Sequence, residues 1–364
     1  MDFVLSEMID KVMTARASQR PIFIKGGGTK DFYGEPALQT GNGVLLDMST
    51  FAGVVNYEPS ELVLTARAGT LLSDIEALLA EKRQMLAFEP PRFGPASTIG
   101  GCVSAGLSGP RRMAAGPLRD FVLGTTLLDA NGTILRFGGE VMKNVAGYDI
   151  SRLLAGAMGI FGPLLEVSIK VAPMPLVEET RVLSVTKSEA LDLFKAWRSR
   201  PLPVSATAWE EEHGVPVLRV RLSGSSPAIE SARRHIGGER MDDEASQAYW
   251  ASLRDQTHPF FQARTLWRLA LPPTTPALGL GSILLEWNGG QRWFADGEHS
   301  VEADFVRKAA ERHGGHATLY RHDGTKTTSV FHPVAPGVKA ISRRLKQELD
   351  PTGMFNPGRL FCEF

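Results

Sequence analysis

Cysteine is nearly missing from this chain: 364 residues carry only Cys102 and Cys362. Two thiols match no zinc or iron–sulfur ligand spacing, so a cluster serving this protein must sit on another chain. Such sparse usage points to a reducing compartment, with one buried pair left open. An excess of one charge is also missing, because 40 Lys and Arg cancel 40 Asp and Glu. That balance removes the usual electrostatic ground for a nucleic-acid partner. No apolar run nears the ~20 residues that span a bilayer. The stretch from Met1 to Ser18 lacks the basic start and unbroken apolar run of a secretory signal, since Asp2, Glu7 and Asp10 interrupt it. Val4, Met8 and Val12, with Leu5 and Ile9, instead form an apolar helical stripe. The expectation is a cytoplasmic protein that reaches the inner membrane only through partners.

What is present is ordinary globular material, 43% hydrophobic and 22% charged, in a length that suits two domains better than one core. From Pro21 to about Pro175, short β-like runs alternate with glycine clusters. Pro21 to Ile24, Val44 to Met48, Leu62 to Arg67 and Leu164 to Val171 read as strands. Thr70 to Lys82 reads as a helix, with Leu71, Ile75, Leu78 and Leu79 at helical spacing. Phe121 to Leu128 and Thr133 to Phe137 flank Asp129-Ala130-Asn131-Gly132, a hairpin signal. Beyond Leu176 glycine thins out and Trp, Arg and Glu increase. Ser188–Arg198 reads as helix, and Val215–Leu222 and Ser282–Glu286 as strands. A helix from about Val338 to Leu349 precedes an aromatic tail. The expected division is 1–175, 176–330 and a segment 331–364 that returns to the first domain.

Glycine costs roughly 0.5–1 kcal/mol relative to alanine inside regular structure, so its clusters need a reason. Three stand in the first half: Gly26-Gly27-Gly28-Thr29; Ser97-Thr98-Ile99-Gly100-Gly101 with Gly106; and Gly156 to Gly162. Successive backbone N–H groups in such turns can converge on phosphate oxygens, with Ser97 and Thr98 hydroxyls and the Lys25 charge beside them. The bland alternative is tight turns between strands. No G-x-x-x-x-G-K-[ST] loop is present. Neither Gly26–Gly28 nor Gly156–Gly162 has G-x-G-x-x-G spacing with an acidic residue about 20 positions on, so a Rossmann domain is not expected.

These residues carry a resemblance. Pro21 to Thr29, Pro95 to Gly101 and Gly159 to Glu166 resemble the vanillyl-alcohol-oxidase-type (PCMH-type) FAD-binding domain. The resemblance implies an α+β fold, a two-lobed FAD-binding domain followed by a smaller α+β cap domain. It also implies a cofactor site of Lys25, Gly26, Gly27, Gly28, Thr29, Pro95, Ala96, Ser97, Thr98, Ile99, Gly100, Gly101, Gly106, Gly159, Gly162 and Leu164. Relatives that bind flavin covalently do so through a histidine in the first loop. Thr29 and Lys30 stand there here, which implies non-covalent FAD.

A narrower resemblance spans nearly the whole chain. Gly109 to Arg112, Gly116 to Gly124, Arg136 to Asp149, Glu286 to Trp293 and Asp350 to Arg359 resemble the FAD-binding subunits of bacterial glycolate oxidases. That family implies oxidation of a small 2-hydroxy acid, with a larger FAD-binding subunit and an iron–sulfur subunit as partners. A stand-alone FAD-dependent dehydrogenase and a non-catalytic scaffold stay open as alternatives. No catalytic residue is assigned. Larger flavin subunits carry H-x-G-D-G-N, whereas this chain reads His322-Asp323-Gly324-Thr325, which counts against independent dehydrogenation. His313, His316 and His322 read better as a solvated cluster than as metal ligands, and no metal is expected. Lys143, Tyr148 and Asp149 are candidates for flavin contact or loop packing. Trp287 and Trp293 suit burial better than a partner surface, and Arg359 suits a flavin phosphate or a helix-end ion pair.

Overall fold

Strand Ile22–Lys25 pairs in parallel with Val44–Asp47, and beside them lies an antiparallel sheet that forms the first half of the molecule. The structure is a computed structural model describing residues 3–36, 41–139, 148–296, 301–322 and 328–363. The sheet runs in the order Val54–Glu58, Val63–Arg67, Leu164–Lys170, Val122–Leu128, Ile134–Gly138. Its hairpin is closed by Asp129, whose Oδ1 accepts the N–H groups of Asn131 at 2.8 Å and Thr133 at 2.7 Å, while Gly132 takes a positive φ of 77°. Leu62 falls outside its strand because it turns the chain at a φ of 57°. The helix Leu72–Glu81 buries Leu72, Ile75 and Leu79, the face its spacing predicts. It begins later than the apolar pattern suggests, because Leu71 is extended (φ −65°, ψ 140°), and the Leu72 N–H, with no acceptor inside the helix, donates to the Ser97 carbonyl at 2.8 Å.

The second sheet is larger and wholly antiparallel among the described residues. Its order is Glu239–Arg240, Val177–Leu183, Val215–Gly224, Val204–Glu212, Ser282–Glu286, Gln291–Asp296, Thr265–Ala270, His316–Arg321. One face packs on helices Lys187–Arg198, Ser226–Ile236 and Ala303–Glu311, whose apolar residues join Trp209, Trp267 and Phe294 in a core. Thr186 starts the first of these helices with a capping box closed by Glu189.

The other face looks towards the first half. Tyr33, Ala105, Leu107 and Met158 pack there against Ala208, Trp250, Trp293 and Tyr320. A charge network crosses the same junction. Glu89 accepts from the Arg111 backbone at 2.7 Å and from Arg221 at 2.9 Å, and Arg111 reaches on to Glu178 at 2.6 Å. The C-terminal residues Leu349, Met354 and Phe355 belong to the first core, with Val12, Leu64 and Ile99. This folding-back brings sequence-distant residues to one cleft.

Candidate cofactor cleft

The cleft opens where strand Ile22–Lys25 ends. Its volume is about 360 Å³, within the range of small-molecule sites. Phe23, Lys25, Gly26, Gly27, Gly28, Thr29 and Lys30 form one wall. Among the described residues, the backbone N–H groups of Gly26, Gly27, Gly28, Thr29 and Lys30 donate to no protein acceptor. Consecutive open amides in one turn make a concavity suited to anionic oxygens. Gly27 is required by a close approach: a Cβ there would stand 1.6 Å from the Ala96 carbonyl oxygen.

The second glycine loop is used differently. Thr98 caps the helix Ile99–Ala105, its Oγ1 accepting the Gly101 N–H at 3.2 Å. The Ile99 and Gly100 amides donate to Thr70 O at 2.9 Å and Ala68 O at 2.8 Å. Most of this loop's donors are therefore committed to the fold, and its contribution to the cleft is surface: Thr98, Gly100 and Gly101 line it. Ile99 is buried in the core. Pro95 and Ser97 face a neighbouring cleft with Phe32 and Phe93. Ala96 meets Gly27. Gly106 ends the helix in the left-handed conformation. From the third cluster Gly159 and Leu164 line the cleft, whereas Gly162 sits against the Leu128 carbonyl.

Charge in the cleft comes from three cations. Lys25 pairs with Asp31 at 3.1 Å. Lys30 donates to the Ser97 hydroxyl at 2.6 Å, and burial pushes its pKa down against the opposing pull of Cys102 and Asp255. Arg359 also lines the cleft and donates to the Glu35 and Tyr33 carbonyls at 2.6 and 2.7 Å. Burial lowers its pKa, with Asp31 and Glu35 acting the other way. Five open amides with Lys25 and Arg359 suit a diphosphate, and Phe23, Leu45, Met48 and Met158 offer apolar surface for rings. Met158 and Asn356 also line the cleft, and neither stands out in the sequence as a candidate. The one hint is that Met158 falls within Gly156 to Gly162 and Asn356 within Asp350 to Arg359.

A second cleft, about 610 Å³, is lined on one side by Tyr33 and Glu35. Arg268 and Thr318 stand opposite each other on neighbouring strands, and His316 follows on the same face. Ser329 and His332 complete its polar lining. Among the described residues, the guanidinium of Arg268 has no hydrogen-bonded or ion-paired partner. Nor has that of Arg112, which stacks over Trp287 at 4.3 Å. Burial lowers the Arg112 pKa, and Arg268 and Arg119 lower it further. His316 is held below the ordinary histidine value by burial, then by Arg268, His332 and Arg112. Arg268, Arg112 and His316 lend positive charge to this end of the cleft, which Glu35 and Glu363 also line.

Other sequence candidates fall elsewhere. His313, His316 and His322 do not assemble as a ligand set; among the described residues the close set is Glu210, Glu212 and His258. Arg219 already bonds Glu210 at 3.3 Å and Glu212 at 2.6 Å. Lys143 and residues 323–325 lie outside the described residues. Tyr148 is 93% exposed, and Asp149 caps the short helix Ile150–Leu154. Trp293 is buried, while Trp287 is half-buried and donates to the Gly109 carbonyl at 3.1 Å. Among the described residues, no helix is long and apolar enough to cross a membrane.

Comparison with known proteins agrees with this geometry. Residues 5–138 match the FAD binding domain family. The glycolate oxidase subunit GlcE of Escherichia coli (strain K12) is 41% identical over 98% of this chain and 97% of its own length. The glycolate oxidase subunit GlcD of Bacillus subtilis (strain 168) is 31% identical over 48% of this chain and 37% of its own. A solved alkyldihydroxyacetonephosphate synthase shares the fold, with a TM-score of 0.68 at 14% identity, covering 97% of this chain and 75% of that one. Likeness at the level of the first relative, extending end to end, establishes that the chain belongs to the family of the glycolate oxidase subunit GlcE, FAD-dependent oxidoreductases with a PCMH-type FAD-binding domain.

Proposed function

We propose that this chain is the FAD-carrying subunit of a glycolate oxidase complex that converts glycolate to glyoxylate. The carrying observation is the first glycine loop, whose five consecutive amides lie open beside Lys25 and Arg359. In this reading the cofactor site is Lys25 through Thr29, Pro95 through Gly101, Gly106, Gly159, Gly162 and Leu164. Those that line the cleft meet the cofactor, and Pro95 to Ser97, Ile99, Gly106 and Gly162 shape the loops around it. The units are residues 1–175, 176–330 and the returning segment 331–364. The cofactor is held without a covalent bond, because the first loop offers Thr29 and Lys30 but no histidine.

FAD, when bound, supplies the two-electron acceptor for a hydride. The chain's own residues do the rest. Arg268, in the second cleft, holds the substrate carboxylate, a pairing that charge-assisted hydrogen bonds favour. His316, on the same face of the sheet as Arg268, accepts the hydroxyl proton. The electrons leave through an iron–sulfur subunit towards quinone, with a larger FAD-binding subunit completing the assembly.

Two measurements test this. Affinity purification of the tagged chain from its native cell is expected to recover a larger flavoprotein and a cysteine-rich protein. Recovery of the chain alone contradicts the complex. Anaerobic addition of glycolate to the purified assembly is expected to bleach its flavin absorbance, and an unchanged spectrum contradicts the substrate.

A further inference from the structure

Lys346 is only 3% exposed, a position an ammonium holds only with partners. It donates to the Ile160 carbonyl at 2.5 Å, the Phe355 carbonyl at 3.0 Å and Asp350 Oδ2 at 2.6 Å. Asp350 in turn accepts the N–H groups of Met354 at 3.0 Å and Phe355 at 2.8 Å. The turn after helix Pro336–Leu349 is therefore pinned to the first core. From there the chain runs along strand Ile22–Lys25. The Ile22 N–H donates to Met354 O at 2.7 Å, and the Asn356 N–H returns to Ile22 O at 2.9 Å.

Asn356 completes the arrangement with its side chain. Oδ1 accepts the Ile24 N–H at 2.8 Å, from a residue 332 positions away. Nδ2 donates to the Met158 carbonyl at 2.8 Å. Both Asn356 and Met158 hold positive φ, at 40° and 54°, conformations that persist only when their surroundings impose them. Gly159 leaves room for the amide: a Cβ there would lie 2.7 Å from Nδ2. One planar amide thus joins the strand that delivers the first glycine loop to the turn that carries Gly159. A side-chain amide is the group that offers one acceptor and one donor at this span.

We propose that residues 350–359 are a clasp on the cofactor cleft, in which Asn356 is a positioning residue that fixes the separation of the first and third glycine loops. The clasp rests on the reading of this cleft as the FAD site. Five amides without protein acceptors are useful to a ligand only if the loop is already held, since ordering it on binding would weaken affinity. Asn356 holds it through Ile24, and Arg359 braces the same wall through Tyr33 and Glu35.

The test is titration of flavin-stripped protein with FAD, followed by quenching of FAD fluorescence, for four chains. Asn356→Ala is expected to raise the Kd by about tenfold or more. Asn356→Asp keeps the acceptor for Ile24 but sets a carboxylate oxygen against the Met158 carbonyl, so a rise at least as large is expected, and it decides the matter if Asn356→Ala does not fold. Leu218→Ala, in the second core, is expected to lower the unfolding midpoint while leaving the Kd within about twofold of the wild type. Asn356 variants that bind FAD as the wild type does overturn the clasp, as does a Leu218→Ala chain that loses FAD equally. A wild-type chain that binds no FAD overturns the cofactor reading and the clasp together.

Discussion

Glycine at position 27 is dictated from outside its own loop, by the Ala96 carbonyl that approaches it. Gly27→Ala is expected to lose about 1–3 kcal/mol of stability, the usual consequence of overpacking, and to weaken FAD binding. Urea unfolding and an FAD titration check both. In the second cleft, Arg268→Met removes a charge-assisted partner and is expected to raise KM for glycolate by about 10- to 100-fold with FAD affinity unchanged. Steady-state kinetics on the assembly decide it. Glu286 supplies a pH signature. Burial, reinforced by Glu89 and Glu210, pushes its carboxyl up to about 7 against the donors Trp293 and Gln291. The folded state then keeps a proton that the unfolded chain releases above its ordinary carboxylate value. The resulting stability is full below that value and is lost as pH rises through about 7. Glu286→Gln keeps both donors satisfied and is expected to exceed the wild type by about 2–3 kcal/mol near pH 8, and by much less near pH 5. Denaturant melts at the two pH values measure it. Lys25, the first-loop glycines, Thr98 and Gly159 line the cleft, and they were legible as candidates because glycine density and hydroxyl neighbours advertise a turn. Asn356 was not, because a lone asparagine gives no sign of partners far away in sequence.

At the scale of elements, the second glycine loop shows what a motif cannot state. Its sequence suggests amides aimed at phosphate, yet the Ile99, Gly100 and Gly101 donors are taken by Thr70, Ala68 and Thr98. The strands and helices themselves were readable, since helix Lys187–Arg198 and strand Ser282–Glu286 follow apolar spacing that survives packing. What stayed hidden is how the two sheets meet. Glu89 reaches across to Arg221, and burial alone would raise its pKa, but Arg221 and Arg111 outweigh burial and hold it low. Its stabilising contribution is thus present above the ordinary carboxylate value and fades as pH falls through the lowered one. Glu89→Ala leaves two buried guanidinium groups short of their partner and is expected to cost about 3–5 kcal/mol. Equilibrium unfolding near neutral pH checks that figure.

The whole molecule brings four distant stretches of chain together around one opening: residues 23–31, 98–105, 158–164 and 356–359. Sequence-local reasoning finds the first three, because each announces itself by composition. It finds the fourth only by its likeness to known subunits, since contacts over several hundred positions leave no local pattern. The central physical claim is that the first loop's open amides, with Lys25 and Arg359 beside them, hold a dissociable flavin. Titrating the purified, flavin-free chain with FAD tests this most directly. The expected result is saturable one-to-one binding that is reversed by denaturation, with all flavin released into solution, and that is abolished or much weakened in Gly27→Ala. Flavin that stays with the denatured polypeptide, or binding that is indifferent to Gly27→Ala, would contradict it.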